Sequence, residues 1–297
     1  RFSEQWGFNN TGQTGGTPDA DIDLPEAWDN FTGSNKTVIA IVDTGVDYNH
    51  PDLRANMWVN PGEIAGDGID NDGNGYIDDI YGIDPGSGDS DPMDEDGHGT
   101  HVAGTTSAVG NNGVGVSGVN WNAKIMALKG ADASGGLPQS ATIEAMGYMV
   151  TMKTRYGVNI VVSNNSYGGL GGSQASRDAI AASIGAGIVF VAAAGNSGTD
   201  NDVIGSYPAG YDLPGIIAVA ATDDNDRLAG FSQYGLTTVD VGAPGVAILS
   251  TTLGGGYGLL QGTSMASPHV AGVVGLLAGA VPGASVASLK SAILLGA

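Results

Sequence analysis

Cysteine is absent from the 297 residues, so neither a disulfide framework nor thiol chemistry is available. Stability outside the cell then has to come from packing or from bound metal. Basic residues are scarce as well. Ten Lys and Arg stand against 31 Asp and Glu, a net charge of −21. So acidic a chain has no electrostatic attraction for nucleic acid or for an anionic membrane, and both are excluded as partners. No stretch of 18 apolar residues that would span a bilayer occurs, and no signal-peptide pattern opens the chain.

What the chain does have is glycine, 51 residues of it, which fits many tight turns and close backbone approaches. Runs rich in Val, Ile and Ala recur at Thr37–Asp43, Lys124–Lys129, Asn159–Ser163, Ile188–Ala194 and Ile216–Thr222. Near-continuous apolar runs of this length read as strands buried on both faces. Helical patterns alternate with them, at His98–Val109, Ser140–Tyr156, Gln174–Ala186, Ser264–Ala280 and Val286–Leu295. The alternation predicts an α/β fold with a mainly parallel central sheet flanked by helices. No repeat or linker divides the chain, which is expected to be one domain over 1–297. Pro61–Pro92 is dense in Gly, Asp and Asn and reads as a surface insertion, and much of the acid lies between Asp67 and Asp96.

Three glycine-rich segments each expose a reactive side chain. IVDTGVD sets Asp43 at the end of an apolar run, DGHGTHVAGT sets His98 before a helical stretch, and GTSMASPHVAG sets Ser264 at the start of an apolar helix. Taken singly they read blandly, as a strand-end turn, a helical histidine and a helix cap. Together they supply what nucleophilic acyl transfer needs: a hydroxyl to attack, an imidazole to take its proton, and a carboxylate to fix the imidazole tautomer. A serine at a helix start also sits beside free N–H groups that favour a developing oxyanion, and Pro268 lies near the first turn, where a missing donor does least harm. Four histidines raise the question of zinc, but no HExxH motif occurs.

With DTGVD around Asp43, HGTHVAGT from His98, AAAGNSG from Ala192 and GTSMASPHVAG from Gly262, in that order, the chain resembles the subtilisin-like serine proteases from about Trp6 to near its C-terminus. The Asp, His, Ser order is that of subtilisin. The resemblance implies a subtilisin-like three-layer fold and a secreted serine endopeptidase acting on proteins and peptides. It makes His98 the base and leaves His101, His50 and His269 structural. It makes Asn196 the second oxyanion donor beside the Ser264 N–H. It places Ser166, Tyr167 and Gly168 on one wall of the main specificity pocket, Ala193, Ala194 and Gly195 on the other, Ser206 at the floor, and Gly135, Gly136 and Leu137 along the channel. Uncharged walls of this kind predict cleavage after bulky apolar residues. The segment SNNSYGG departs from the simpler Met-Ser-aliphatic-Gly-Gly pattern at Asn165 and Tyr167, which bears on fine specificity. Family members are commonly made with a signal and an inhibitory pro-segment, both removed, and the resemblance leaves room for further C-terminal domains. A monomer is expected.

Calcium is expected at two or more sites. The first is implied by resemblance: Asp52, the Asn112 side chain and the carbonyls of Gly110, Val114 and Val116, with Gln5 as a completing ligand. The second is read from DGIDNDGNGYIDD, in which Asp70, Asp72, Asn74, Gly75, Tyr76 and Asp78 follow an EF-hand-like spacing. Tyr81 stands at the twelfth position where a bidentate Glu is usual, so Asp67, Asp78 or Asp79 must close the shell. The bland reading is a solvated acidic loop. A catalytically silent binding module on this fold would usually lack part of the Asp43, His98, Ser264 and Asn196 set, all of which is present. A transpeptidase or cyclase would share the acyl-enzyme, but no water-excluding domain is marked, which favours hydrolysis.

Overall fold

In a computed structural model, residues 1–132 and 134–297 are described. Seven parallel strands form one sheet: β1 (Val38–Asp43), β2 (Gly82–Ile83), β3 (Lys124–Lys129), β4 (Ile160–Asn165), β5 (Val189–Ala193), β6 (Ile216–Thr222) and β7 (Val241–Pro244). Their order is β2-β3-β1-β4-β5-β6-β7. The helices are α1 (Leu24–Trp28), α2 (His98–Ser107), α3 (Gln139–Thr154), α4 (Gln174–Gly185), α5 (Thr263–Ala280) and α6 (Val286–Gly296). An antiparallel hairpin, β8 (Ile248–Thr252) and β9 (Gly256–Leu260), stands apart from the sheet.

The strands bury both faces, as their unbroken apolar composition requires. Along β1, Ile39 and Ile41 enter one core while Val38, Ala40 and Val42 enter the other. The same alternation runs along β5, with Val189 and Val191 opposite Phe190 and Ala192. The first core is closed by α2, α5 and α6, through Val102, Met265, Val270, Val274, Leu289 and Ile293. The second is closed by α3 and α4, through Met146, Met149, Met152 and Ile180. A helix–sheet–helix sandwich of three layers results. α5 carries no charged residue and is buried nearly all round, as expected of a helix inside the molecule rather than on its rim.

The 61–92 insertion is only partly a surface excursion. Its distal end supplies β2, whose Gly82 and Ile83 pair with Ala127 and Leu128 at the sheet edge. Gly82 is at φ 138°, and a Cβ there would collide with the Ala127 carbonyl, so a non-glycine residue would break the pairing. Two residues are too few to leave a hydrophobic pattern, which is why the strand is silent in the sequence. β7 and the hairpin are silent for a related reason: β9, GYGLL, is half exposed and carries no run of buried residues.

Phe190 is fully buried between the sheet and the α3–α4 layer. Phe190→Ala is expected to cost about 3–5 kcal/mol of folding free energy. Denaturant unfolding in a Ser264→Ala background, which keeps any self-digestion out of the measurement, checks this. A loss below about 1 kcal/mol would contradict the packing described.

Candidate active site

The carboxyl ends of parallel strands are where an open α/β sheet gathers its functional residues. Asp43 closes β1 there and is 2% exposed. One of its oxygens, Oδ1, accepts the Thr44 N–H at 2.8 Å and lies 2.6 Å from His98 Nδ1. Asp43 Oδ2 is buried without a partner. His98 is the first residue of α2, and the β1 turn and the helix start are brought together at this contact. The facing carboxylate of Asp43 raises the His98 pKa most, and Asp96 and Asp94 add to it. Together they outweigh burial and push it up to about 9.

The other histidines are built into the scaffold. His101 Nε2 faces the carbonyls of Ile248 and Gly258 in the hairpin, and burial drives its pKa down to about 4. His269 holds Met265 O at 2.8 Å and is lowered to about 4, also by burial. His50 Nε2 meets Gly256 O at 3.0 Å.

Ser264 is the second residue of α5, so its N–H belongs to a first turn with no intrahelical acceptor. Its hydroxyl donates to Ser166 O at 3.2 Å, and no hydrogen bond joins it to His98 among the described residues. A turn of the Ser264 side chain off Ser166 is needed before the two can exchange a proton. Asn196 follows β5 and caps the same helix. Its Oδ1 accepts Thr263 N at 2.8 Å and Thr263 Oγ1 at 3.0 Å, so its amide N–H groups are directed away from the cap. Pro268 lies further into α5 than the first turn, against expectation, and denies Ser264 O its helical partner. Ser166 Oγ takes that carbonyl instead, at 2.8 Å.

Beside Ser264 lies a cavity of about 280 Å³ lined by Tyr167, Gly168, Ala193, Gly195, Ser206 and Gln233, among others. Gly195 is at φ 113°, and a side chain there would run into Gln233 and Ser206. Two expected wall residues do not line it: Ala194 is fully buried, and Ser166 faces Ser264. Gly169, Leu170, Ser197 and Gln233 line it without having been singled out in sequence; only the fold brings Gln233 there. Gly135 and Leu137 line a neighbouring cavity of about 530 Å³ with Met146, Ile180, Tyr207 and Tyr211, and Tyr167–Gly169 separate the two. Gly136 lines neither; its N–H is bound to Asp132. Asn165 is spent inside, on Ser163 and Val191, and accepts the Tyr167 hydroxyl at 3.2 Å.

Two oxygen-rich regions lie away from this edge. Asp52, fully buried, accepts Asn112 Nδ2 at 2.6 Å and Val116 N at 2.9 Å, so the 110–116 loop wraps it. Asn112 Oδ1 accepts the Val114 N–H, and the Gly110 N–H donates to Trp121 O. The Gln5 amide is committed to both backbone groups of Ser117. In the acidic insertion, oxygens of Glu63, Asp72 and Asp79 lie within 4.8 Å of one another. Glu63 was missed in the sequence because it precedes the D-x-D-x-N-G run. Asp70, by contrast, accepts the N–H groups of Gly73, Asn74 and Gly75, and Asp78 those of Gly66 and Gly68. Asp67 caps Ile69 and Asn71, and Asn74 bridges to Asp79. Tyr76 reaches Glu144 on α3, where Tyr148 donates to Asp79 at 2.6 Å. Burial raises the Asp79 pKa, against the hydrogen bonds it accepts from Tyr148, Asn74 and Asn60.

The sequence profile of the subtilase family matches residues 34–297. Thermitase of Thermoactinomyces vulgaris is 41% identical over 274 residues, covering 92% of this chain and 84% of thermitase. An extracellular protease of Xanthomonas campestris is 38% identical over 299 residues, covering 95% of this chain and 49% of its own length, so the chain spans about half of that relative. A solved cold-adapted subtilisin-like serine proteinase superposes with a TM-score of 0.71 at 31% identity, covering 90% of this chain and 83% of that one.

The His98 imidazole is expected to titrate near 9, above its ordinary 6.5. Folding raises this pKa, so the Asp43–His98 pair contributes stability fully present below about pH 6.5 and lost as pH rises through about 9. An NMR titration of the histidines checks it, and Asp96→Asn should move the midpoint down. A midpoint at or below 6.5 would contradict the geometry.

Proposed function

This chain belongs to the subtilase family of serine endopeptidases, and we propose that it hydrolyses peptide bonds through Asp43, His98 and Ser264. The observation that carries the reading is the 2.6 Å contact between a buried strand-end carboxylate and the His98 imidazole, at the edge where β1 and the adjacent β4 end and Ser264 meets Ser166. His98 Nε2 takes the Ser264 proton as Oγ attacks the scissile carbonyl. Asp43 holds Nδ1–H, so the opposite ring nitrogen is the free base, and it stabilises the imidazolium that forms. The Ser264 N–H and the Asn196 amide receive the oxyanion, and His98 then protonates the leaving amine. Water enters the same cycle to release the acyl group. The protein must first lose a proton from His98, so activity should favour alkaline pH.

A peptide lying along 166–170 would be held by strand addition, with one side chain in the 280 Å³ cavity and another, further from the cut, in the 530 Å³ cavity. Neither is lined by a charged side chain, which supports a preference for large apolar residues before the cut. Extracellular action is supported by the name of one relative, and membership of the family leads us to expect an inhibitory pro-segment that is removed on maturation. We read the chain as one catalytic unit that acts as a monomer.

A sulfonyl fluoride should label Ser264 alone and abolish activity, and Ser264→Ala should be inert. Asn196→Ala should lower kcat by about 10²–10³-fold, a magnitude known from subtilisin itself. A peptide library should be cut mainly after Leu, Phe, Tyr or Met. Label at another residue, or cleavage dominated by Lys, Arg or Glu, would refute the assignment.

The donor set in the insertion fits calcium: three carboxylates, oxygen only, converging within 4.8 Å, one of them buried. Glu63, Asp72 and Asp79 would hold the ion, with Asn74 beside them, in place of the regular EF-hand set. Asp52 and Asn112 would hold a second, with loop carbonyls, once the Asn112 amide turns its oxygen to the side where its nitrogen now meets Asp52. Bound calcium supplies charge compensation that keeps the insertion folded. Melting temperature should therefore rise with free Ca²⁺, by the equivalent of about 2.7 kcal/mol at a hundredfold excess over Kd. Glu63→Gln with Asp79→Asn should remove one ion and most of that rise. Unchanged calcium stoichiometry in the double variant would refute this site.

A further inference from the structure

Asp94 is a buried carboxylate, 4% exposed, with no Lys, Arg or His partner among the described residues. It accepts five hydrogen bonds instead. Oδ1 takes Thr44 Oγ1 at 2.9 Å and the N–H groups of Asp96 and Gly97 at 3.0 Å each. Oδ2 takes Thr100 N at 2.9 Å and Thr100 Oγ1 at 2.6 Å. These partners belong to two different segments. Thr44 directly follows Asp43, and its N–H is bound to Asp43 Oδ1. Asp96 to Thr100 is the entry and first turn of α2, which begins with His98 and has no side-chain cap from its own Gly97. Two further bonds cross-brace the same junction. Thr44 Oγ1 accepts Gly99 N at 2.9 Å, and Thr100 Oγ1 accepts Asp47 N at 2.9 Å.

We propose that Asp94 is a positioning residue that fixes the Asp43–His98 pair by clamping Thr44 against the first turn of α2. The proposal rests on the assignment of Asp43 and His98 to the catalytic set. A simple helix cap would need only the N–H groups of α2. The bond to Thr44 Oγ1 is what couples the helix start to the strand that carries Asp43. Asp43 has few other restraints, since its second oxygen is unpartnered, so the register between carboxylate and imidazole depends on this clamp. An uncharged replacement cannot serve all five donors: in Asp94→Asn the amide nitrogen must face either Thr44 and the Asp96–Gly97 turn or Thr100.

The test compares Asp94→Asn, Thr44→Val, Thr44→Ser and the Asp94→Asn/Thr44→Val double variant, each normalised to sites titrated with sulfonyl fluoride. Asp94→Asn and Thr44→Val should each lower kcat by on the order of 10- to 100-fold, with KM changed little. Thr44→Ser, which keeps the hydroxyl, should recover most of the Thr44→Val loss. The double variant should be no worse than the poorer single variant, because both break one link. In a Ser264→Ala background, the His98 Nδ1–H resonance should broaden or vanish in Thr44→Val. A role in capping alone would lower the melting temperature and leave kcat per titrated site and that resonance unchanged. Single-variant kcat values within twofold of the parent, or fully additive losses, would overturn the proposal. Thr44→Val preserves shape, so it decides the matter if Asp94→Asn does not fold. Activity surviving in Ser264→Ala would instead refute the catalytic assignment on which the proposal stands.

Discussion

A buried carboxylate facing an imidazole is costly to assemble, and the architecture around Asp43 and His98 is organised by that requirement. Asp43 is out of water, and its hydrogen-bond partners are the Thr44 N–H and His98. The strand end that carries it, the turn behind it and the start of α2 must therefore stay in one register. A parallel sheet buried on both faces gives β1 that rigidity, because slipping by a residue would exchange the Ile39–Ile41 and Val38–Val42 sets between two filled cores. α5 is fixed by the same logic, its uncharged length packed against the sheet so that Ser264 reaches the edge where β1, β4 and β5 end.

Hydrogen bonds are reused across the site rather than dedicated to single roles. Asn196 caps α5 with its oxygen, and its amide N–H groups take the proposed oxyanion role. Pro268 interrupts the helical ladder, and the carbonyl it frees ties the Ser264 backbone to Ser166, beside the 280 Å³ cavity. These couplings mean that substitutions at the pocket wall and at the helix start should not act independently.

Five of the strands and five of the helices were legible in sequence because their signals are strong, whereas the short α1, β2, β7 and the hairpin left none. β3 and β6 run from end to end as their apolar patterns indicate, and the helices agree to within a turn. The residues proposed to react stand out in the sequence because the motifs around them are long. Chemistry outside those motifs was harder to see. Glu63 joins Asp72 and Asp79 across the acidic insertion, yet nothing local distinguishes it from the solvated acids around it. Asp70 has the spacing of a ligand and the partners of a turn cap, since three backbone N–H groups reach it first. Gln233 and Asp94 act at a distance in sequence or through backbone partners, so single-sequence patterns carry no trace of their roles.

The central claim, that Asp43, His98, Ser264 and Asn196 act on one carbonyl, is tested most directly by a crystal structure with a peptide boronic acid that ends in Phe or Leu. The account predicts a covalent bond from boron to Ser264 Oγ, with the Ser264 side chain turned off Ser166 O and within hydrogen-bond reach of His98. One boron-bound oxygen should face the Asn196 amide and the Ser264 N–H, and the Phe or Leu side chain should fill the cavity between Gly168 and Gly195. A boronate bonded to any other residue, or bound with its oxygens away from Asn196, would contradict it.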